Sequence, residues 1–174
     1  MYQVFRNLFS QEELDEITFQ FISKCKEEYQ NDDIFSRSKL ALSGTNFRGP
    51  HVTKLRNSII EANKSFNMTL FEDTPFEKWN LSTYQEGGYC TSHNDIIEGA
   101  DWQRKLTVII EISKDCDSGE LEISDQDFLS NKVPLGLQPG DAVVFPSFVN
   151  HSVSKITNGT RQSLTGWVTG PPLT

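Results

Sequence analysis

Apolar residues recur every three or four positions in the first third of this chain and every second position in the rest. Leu14, Ile17, Phe21, Cys25 and Tyr29 follow the first spacing, as do Val52, Leu55, Ile59, Ala62 and Phe66. Such spacing places apolar side chains on one face of a helix. Ser10 and Glu13 form a capping-box pair for the first helix, and Pro50 suits the first turn of the second. From about residue 68 the pattern is extended. Residues 79–84, 106–112, 120–123, 142–145, 152–156 and 161–168 read as strands, and 2–5 as a further short one. Two helices followed by many short strands predict an α+β, mostly β fold. The expected form is a small barrel or jelly roll with the two N-terminal helices packed on one sheet. One domain is expected over residues 1–174, with 1–67 as helical support and 68–174 as the jelly-roll core.

Charge and cysteine usage narrow the partners. The net charge is −8 and the sequence pI about 4.9, which argues against a nucleic-acid backbone as the main partner. Cys25, Cys90 and Cys116 are odd in number and unpatterned, which fits a reducing compartment. The start of the sequence lacks a basic region followed by an apolar one, and the best apolar run, 106–110, is too short to cross a bilayer. A soluble, cytoplasmic protein with no membrane or nucleic-acid partner is expected. Residues 30–48 are polar and read as an irregular exposed loop, or as a loop that covers a substrate through Arg37 and Arg48. The stretch 111–127 carries seven acids against one Lys and reads as a solvated face.

The chemistry concentrates in residues 84–95, Tyr-Gln-Glu-Gly-Gly-Tyr-Cys-Thr-Ser-His-Asn-Asp. His93 and Asp95 are two apart, so an extended strand would turn both to one face. Only two other histidines exist, His51 and His151. His51 falls in the first turn of the second helix, off its apolar face, and is expected to be structural or exposed. His151 lies between two strand-like runs. Two His and one carboxylate on neighbouring strands form a facial triad with open positions, the arrangement that suits non-haem Fe(II). The competing readings are a surface His93 with a core His151, or a C-x-x-H zinc pair of Cys90 and His93. Strand alternation opposes the zinc pair, because it turns Cys90 away from His93 and Asp95.

Arg161 follows His151 by ten residues, across a turn. A buried guanidinium needs an anion and matches a carboxylate bidentately, although pairing with a surface acid would also satisfy it. A three-residue loop, Thr157-Asn158-Gly159, would pair Arg161 with Lys155. It would turn His151, Arg161, Thr165 and Trp167 inward together. Gly159 supplies the left-handed residue that such a loop needs.

Several motifs carry a resemblance: Tyr84-x-x-x-Gly88-Tyr89 before His93-x-Asp95; Arg104-x-x-Thr107; Ser118-Gly119-Glu120-Leu121; Pro139-Gly140-Asp141; and His151 with Arg161-x-x-x-Thr165-x-Trp167. Together they resemble the Fe(II)- and 2-oxoglutarate-dependent dioxygenases, within them the prolyl 4-hydroxylase group, over nearly the whole chain. One departure is Ser118, where many relatives have a second Gly. The resemblance implies a double-stranded β-helix holding Fe(II) on His93, Asp95 and His151. It implies 2-oxoglutarate bound with Arg161, Tyr84 and Thr165, with O2 as the other co-substrate and ascorbate as a stimulant. It implies a protein or peptide substrate contacted by Arg104, Trp167 and Tyr89, hydroxylated at a prolyl residue with release of succinate and CO2. The carboxylate of Asp95 favours hydroxylation over halogenation, since related halogenases lack it. Alternatives are a hydroxylase of another amino acid or small molecule, and a metal-binding jelly roll without turnover. A nucleic-acid demethylase on the same fold fits the acidic balance poorly.

Overall fold

The computed structural model describes residues 1–43, 49–71, 78–96, 103–124 and 131–172. Arg48 therefore lies outside the described residues. Two helices and eleven strands form among those described. Helix α1 spans Gln11–Ile22; α2 spans Pro50–Phe66. The strands are β1 Gln3–Phe5, β2 Glu27–Asn31, β3 Phe35–Ser43, β4 Lys78–Tyr84, β5 Tyr89–His93 and β6 Arg104–Cys116. They continue as β7 Leu121–Ser124, β8 Lys132–Pro134, β9 Ala142–Pro146, β10 His151–Val153 and β11 Gly159–Thr169.

The strands pair in the order β1-β9-β6-β11-β4-β3-β5-β10-β7-β8, with β2 added to β3. The pairing is antiparallel throughout, and the sheet curls into the jelly roll expected from the sequence. Strand β3 makes the turn between the two halves, pairing with β4 over residues 38–43 and with β5 at Phe35 and Ser36. The broad half is β1, β9, β6, β11 and β4; the narrow half is β5, β10, β7 and β8.

Alternation along the broad half sorts side chains into two cores. Leu106, Val108, Ile110 and Ile112 of β6 and Leu164 and Val168 of β11 face the helices, against Leu14, Ile17, Phe21, Leu55, Ile59 and Ala62. Ile109, Val143 and Phe145 face the other way and meet Leu121, Ile123 and Val153 of the narrow half. The helix starts follow local chemistry. Ser10 Oγ accepts from Glu13 N at 3.3 Å while the Glu13 carboxylate accepts from Ser10 N at 2.8 Å. Pro50 opens α2, and Asn67 closes it in the left-handed region.

Three expectations change. Helix α1 stops at Ile22, so Cys25 and Tyr29 lie beyond it, and Tyr29 is an exposed residue of β2. Residues 30–43 are largely strand rather than loop, because β3 finds partners in β2, β4 and β5. The local signal was Asp32, whose carboxylate accepts from Ile34 N and Phe35 N at 2.8 Å each and sets the β2–β3 turn. Finally, β10 and β11 are not a hairpin. β10 pairs with β5 and β7, whereas Arg161 faces Tyr84 and Lys114 across its own ladders, not Lys155. Gly159 does have positive φ (78°), at the start of β11 and not in a β10–β11 hairpin, and a Cβ there would also lie 2.0 Å from Asp115 O on β6.

Asp141 ties the N-terminal segment to the turn before β9. Its carboxylate accepts from Asn7 N and Gln138 N at 2.9 Å and from Arg6 Nη1 at 2.6 Å. Burial raises the acid, but these donors hold it below the usual carboxylate range. A depressed carboxyl stabilises the fold above its unfolded pKa, and the benefit is lost as pH falls through the folded value. Asp141→Asn is therefore expected to cost roughly 2 kcal/mol in urea unfolding at pH 7. The gap between the two proteins should narrow below about pH 4. An unchanged midpoint at pH 7 would remove Asp141 from this role.

Candidate metal centre and its cavity

His93 ends β5 and His151 begins β10, and the two are directly opposed in the ladder. Their rings stand 4.4 Å apart, centroid to centroid. Asp95 sits in the bend that follows β5, not on the strand itself. Its N–H donates to Ser147 O at 2.9 Å. Its Oδ2 accepts from Thr107 Oγ1 at 2.6 Å, and Thr107 and Ser147 hydroxyls are 3.1 Å apart. Asp95 Oδ1 is 3.6 Å from His93 Nε2, and Oδ2 is 3.7 Å from His151 Nε2. One ligand atom from each of the three residues lies within 4.8 Å of the others.

Both imidazoles are oriented from behind. His93 Nδ1 lies 2.9 Å from Thr91 O, and His151 Nδ1 lies 3.1 Å from Val149 O. An Nδ1–H donated to each carbonyl turns both Nε2 atoms toward the Asp95 carboxylate. Burial lowers His151. Burial also lowers His93, but Asp95, Cys90 and Thr91 outweigh it and push the ring up to about 10. Burial raises Asp95, but His151, His93 and Thr107 bring it well below the carboxylate range. The donor set, two imidazole nitrogens and one carboxylate converging on a small buried volume, fits a divalent cation with positions to spare. The proton on His93 is the one such a cation would displace.

Cys90 does not point away from the site. A bulge between β5 and β10 pairs His151 with His93 but Val153 with Cys90. The Cys90 thiol consequently faces the cavity, 3.4 Å from His93 Nδ1. His51 is buried, with Nε2 2.8 Å from Glu16 on α1, far from the cluster and structural.

A cavity of about 210 Å³ opens beside the three residues. Arg161, Ser163, Thr165 and Trp167 line it from alternate positions of β11, with Tyr84 opposite Arg161 on β4. Arg161 is 1% exposed. Its Nη2 donates to Glu111 Oε2 at 2.7 Å, while Nε and Nη1 have no protein partner among the described residues. Burial pushes the Glu111 carboxyl above its usual range, with Arg161 and Lys114 pulling the other way. Tyr84 Oη accepts from Arg37 Nη1 at 3.1 Å, which leaves its own proton to donate. The Arg104 guanidinium lies 4.0 Å from the Trp167 ring centre and donates to Asp95 O at 3.3 Å. Tyr89 stands apart: it does not line the cavity, and its hydroxyl donates to Asp32 O at 3.2 Å.

Sequence reasoning gave one residue no role, placed a second in a substrate-covering loop and misjudged a third. Thr107 had been noted without a role. Arg37, assigned to a loop, lines the cavity from β3. Glu111, counted with a solvated acidic face, is 1% exposed and sits on the inner side of β6. Its spacing of four from Thr107 on one strand was the available signal.

Two outcomes follow. Asp95→Ala should abolish tight Mn(II) binding, read by calorimetry. Thr107→Val should weaken it about 10-fold or more through the freed carboxylate. Unchanged affinity in both variants would mean that the cluster is not a metal site.

A family model described as the 2OG-Fe(II) oxygenase superfamily matches residues 79–169, a stretch that contains every residue of this cluster. A PKHD-type hydroxylase of Idiomarina loihiensis is 31% identical over 90 residues, 51% of this chain and 40% of the relative. The match thus spans about two-fifths of that protein. Among solved structures, a Pseudomonas putida prolyl-4-hydroxylase superposes with a TM-score of 0.71 at 16% identity, covering 98% of this chain and 92% of the other. A prolyl hydroxylase of Trichoplax adhaerens, in complex with a hypoxia inducible factor oxygen degradation domain peptide fragment, gives 0.69 at 14% identity, covering 97% and 83%. Those likenesses show a shared fold, and the family model, which matches more than half of the chain, makes it a member of the 2OG-Fe(II) oxygenase superfamily.

Proposed function

We propose that the protein is an Fe(II)- and 2-oxoglutarate-dependent hydroxylase of a prolyl residue in a protein or peptide, releasing succinate and CO2. The single observation that carries this reading is a facial His93–Asp95–His151 cluster opening into the same cavity as Arg161 Nε and Nη1, which have no protein partner among the described residues. Iron would sit on those three side chains and supply the activation of dioxygen, which no side chain here can perform. The chain's own residues do the positioning. Arg161 and the Tyr84 hydroxyl receive the distal carboxylate of 2-oxoglutarate, with Thr165 beside them on the same face. The Nδ1–H bonds to Thr91 and Val149, with Thr107 on Asp95, hold the three ligands so that little reorganises on binding.

The substrate half of the cavity is bordered by Arg104 stacked on Trp167, whose buried Nε1 has no partner among the described residues. An indole N–H of this kind can donate to a peptide carbonyl. The peptide-bound Trichoplax relative supports the choice of a peptide over a small molecule. Free thiols at Cys25, Cys90 and Cys116 support a cytoplasmic setting. Among the described residues, no helix is long and apolar enough to cross a membrane.

Incubation with Fe(II), 2-oxoglutarate, ascorbate and proline-rich peptides should give succinate and a one-oxygen mass gain on proline. Oxygen gained on another residue, or succinate with no peptide product, would sink the prolyl assignment. No succinate under any condition would point to a binding module.

A further inference from the structure

Arg161 does not reach the cavity as a bare cation. Glu111 accepts from its Nη2 at 2.7 Å, and both side chains are 1% exposed. The contact is made through one guanidinium nitrogen, so Nε and Nη1 remain for a ligand. Glu111 Oε1 is buried and without a partner among the described residues. Lys114, the next cation along β6, is occupied by Glu120. The backbone of Glu111 is fixed on both sides: its N–H donates to Asp141 O at 2.9 Å and its carbonyl accepts from Gly140 N at 2.9 Å. A carboxylate arriving at Arg161 therefore meets a cation whose charge is already balanced, next to a second carboxylate that is held in place.

We propose that Glu111 sets the affinity of the cavity for its co-substrate by pre-neutralising Arg161, so that the distal carboxylate is held weakly and released readily. This rests on Arg161 being the carboxylate anchor. The physical basis is twofold. Without a ligand, a buried guanidinium lacking Glu111 would be an uncompensated charge, which is costly. With a ligand, two carboxylates share one guanidinium in a medium of low effective dielectric, where their repulsion is felt strongly. Glu111 is thus a positioning residue that stabilises the unliganded protein and lowers its grip on the anion.

The test compares 2-oxoglutarate with 2-oxobutyrate, which keeps the metal-chelating end and lacks the distal carboxylate. Binding to the Mn(II)-loaded full chain is measured by calorimetry without oxygen. In the wild type the distal carboxylate should add only about tenfold in affinity. In Glu111→Gln, 2-oxoglutarate should bind about tenfold more tightly than in the wild type, with 2-oxobutyrate unchanged. The same variant should melt at a lower temperature alone and gain more from 2-oxoglutarate. Equal or weaker binding of 2-oxoglutarate by Glu111→Gln would overturn the proposal. So would a wild type in which the distal carboxylate already adds about a thousandfold, a comparison that needs no variant to fold. Arg161→Gln separates the two ideas. If it leaves both affinities untouched, the anchor assignment itself fails. If it reduces 2-oxoglutarate to the level of 2-oxobutyrate while Glu111→Gln changes nothing, only the role of Glu111 falls.

Discussion

The antiparallel pairing of β6 with β11 is the constraint on which the other features depend. It runs from Gly159 opposite Cys116 to Thr169 opposite Arg104, and its two register shifts re-aim β6, so that Arg104 lines the cavity although Leu106, two residues on, faces the helices. One side of this pair packs Leu106, Val108, Ile110, Ile112, Leu164 and Val168 onto the helices. The other carries Thr107, Ile109 and Glu111 from β6 and Arg161, Ser163, Thr165 and Trp167 from β11. A polar lining of this kind is costly to bury unless its groups are paired. The close apolar packing of the helix-facing side is what offsets that cost and keeps the inner side chains where they are.

Much of this was legible in the sequence, and the failures have physical causes. Period-two alternation identified β4, β6, β9 and β11, because these strands are buried on at least one face and their composition follows. It also set the inward face of β11, so Arg161, Thr165 and Trp167 were placed together. The register argument that accompanied this was wrong: Arg161 neighbours Tyr84 and Lys114, and its orientation comes from the ladders with β4 and β6. Long-range strand pairing is invisible to a count along one hairpin. β2 and β3 were missed because Glu27–Asn31 is polar and mostly exposed, and only pairing makes it a strand. The H-x-D spacing led to the correct grouping through an imperfect picture, since Asp95 lies in a bend held by Ser147. The same irregularity brought Cys90 to the face that strict alternation denies it.

Electrostatically, the cavity is graded from one end to the other. Asp95 is surrounded by two imidazoles and a hydroxyl, an environment that favours the ionised carboxylate and hence a bound cation. Arg161 is fully buried in the same cavity, with Glu111 as its counter-charge. Tyr84 and Thr165 line the same cavity, neutral groups able to donate to an anion or accept from a hydroxyl. A dianion with chelating atoms at one end and a carboxylate at the other matches that gradient along its length.

The two ends of this gradient belong to different halves of the curled sheet. His93 and His151 come from β5 and β10, and Arg161 and Tyr84 from β11 and β4; among the described residues, β3 is the hydrogen-bonded strand that joins these halves. A molecule that engages both ends is therefore a strut between two jaws. Thr107, reaching from β6 to Asp95, already ties the two halves together at the cation end.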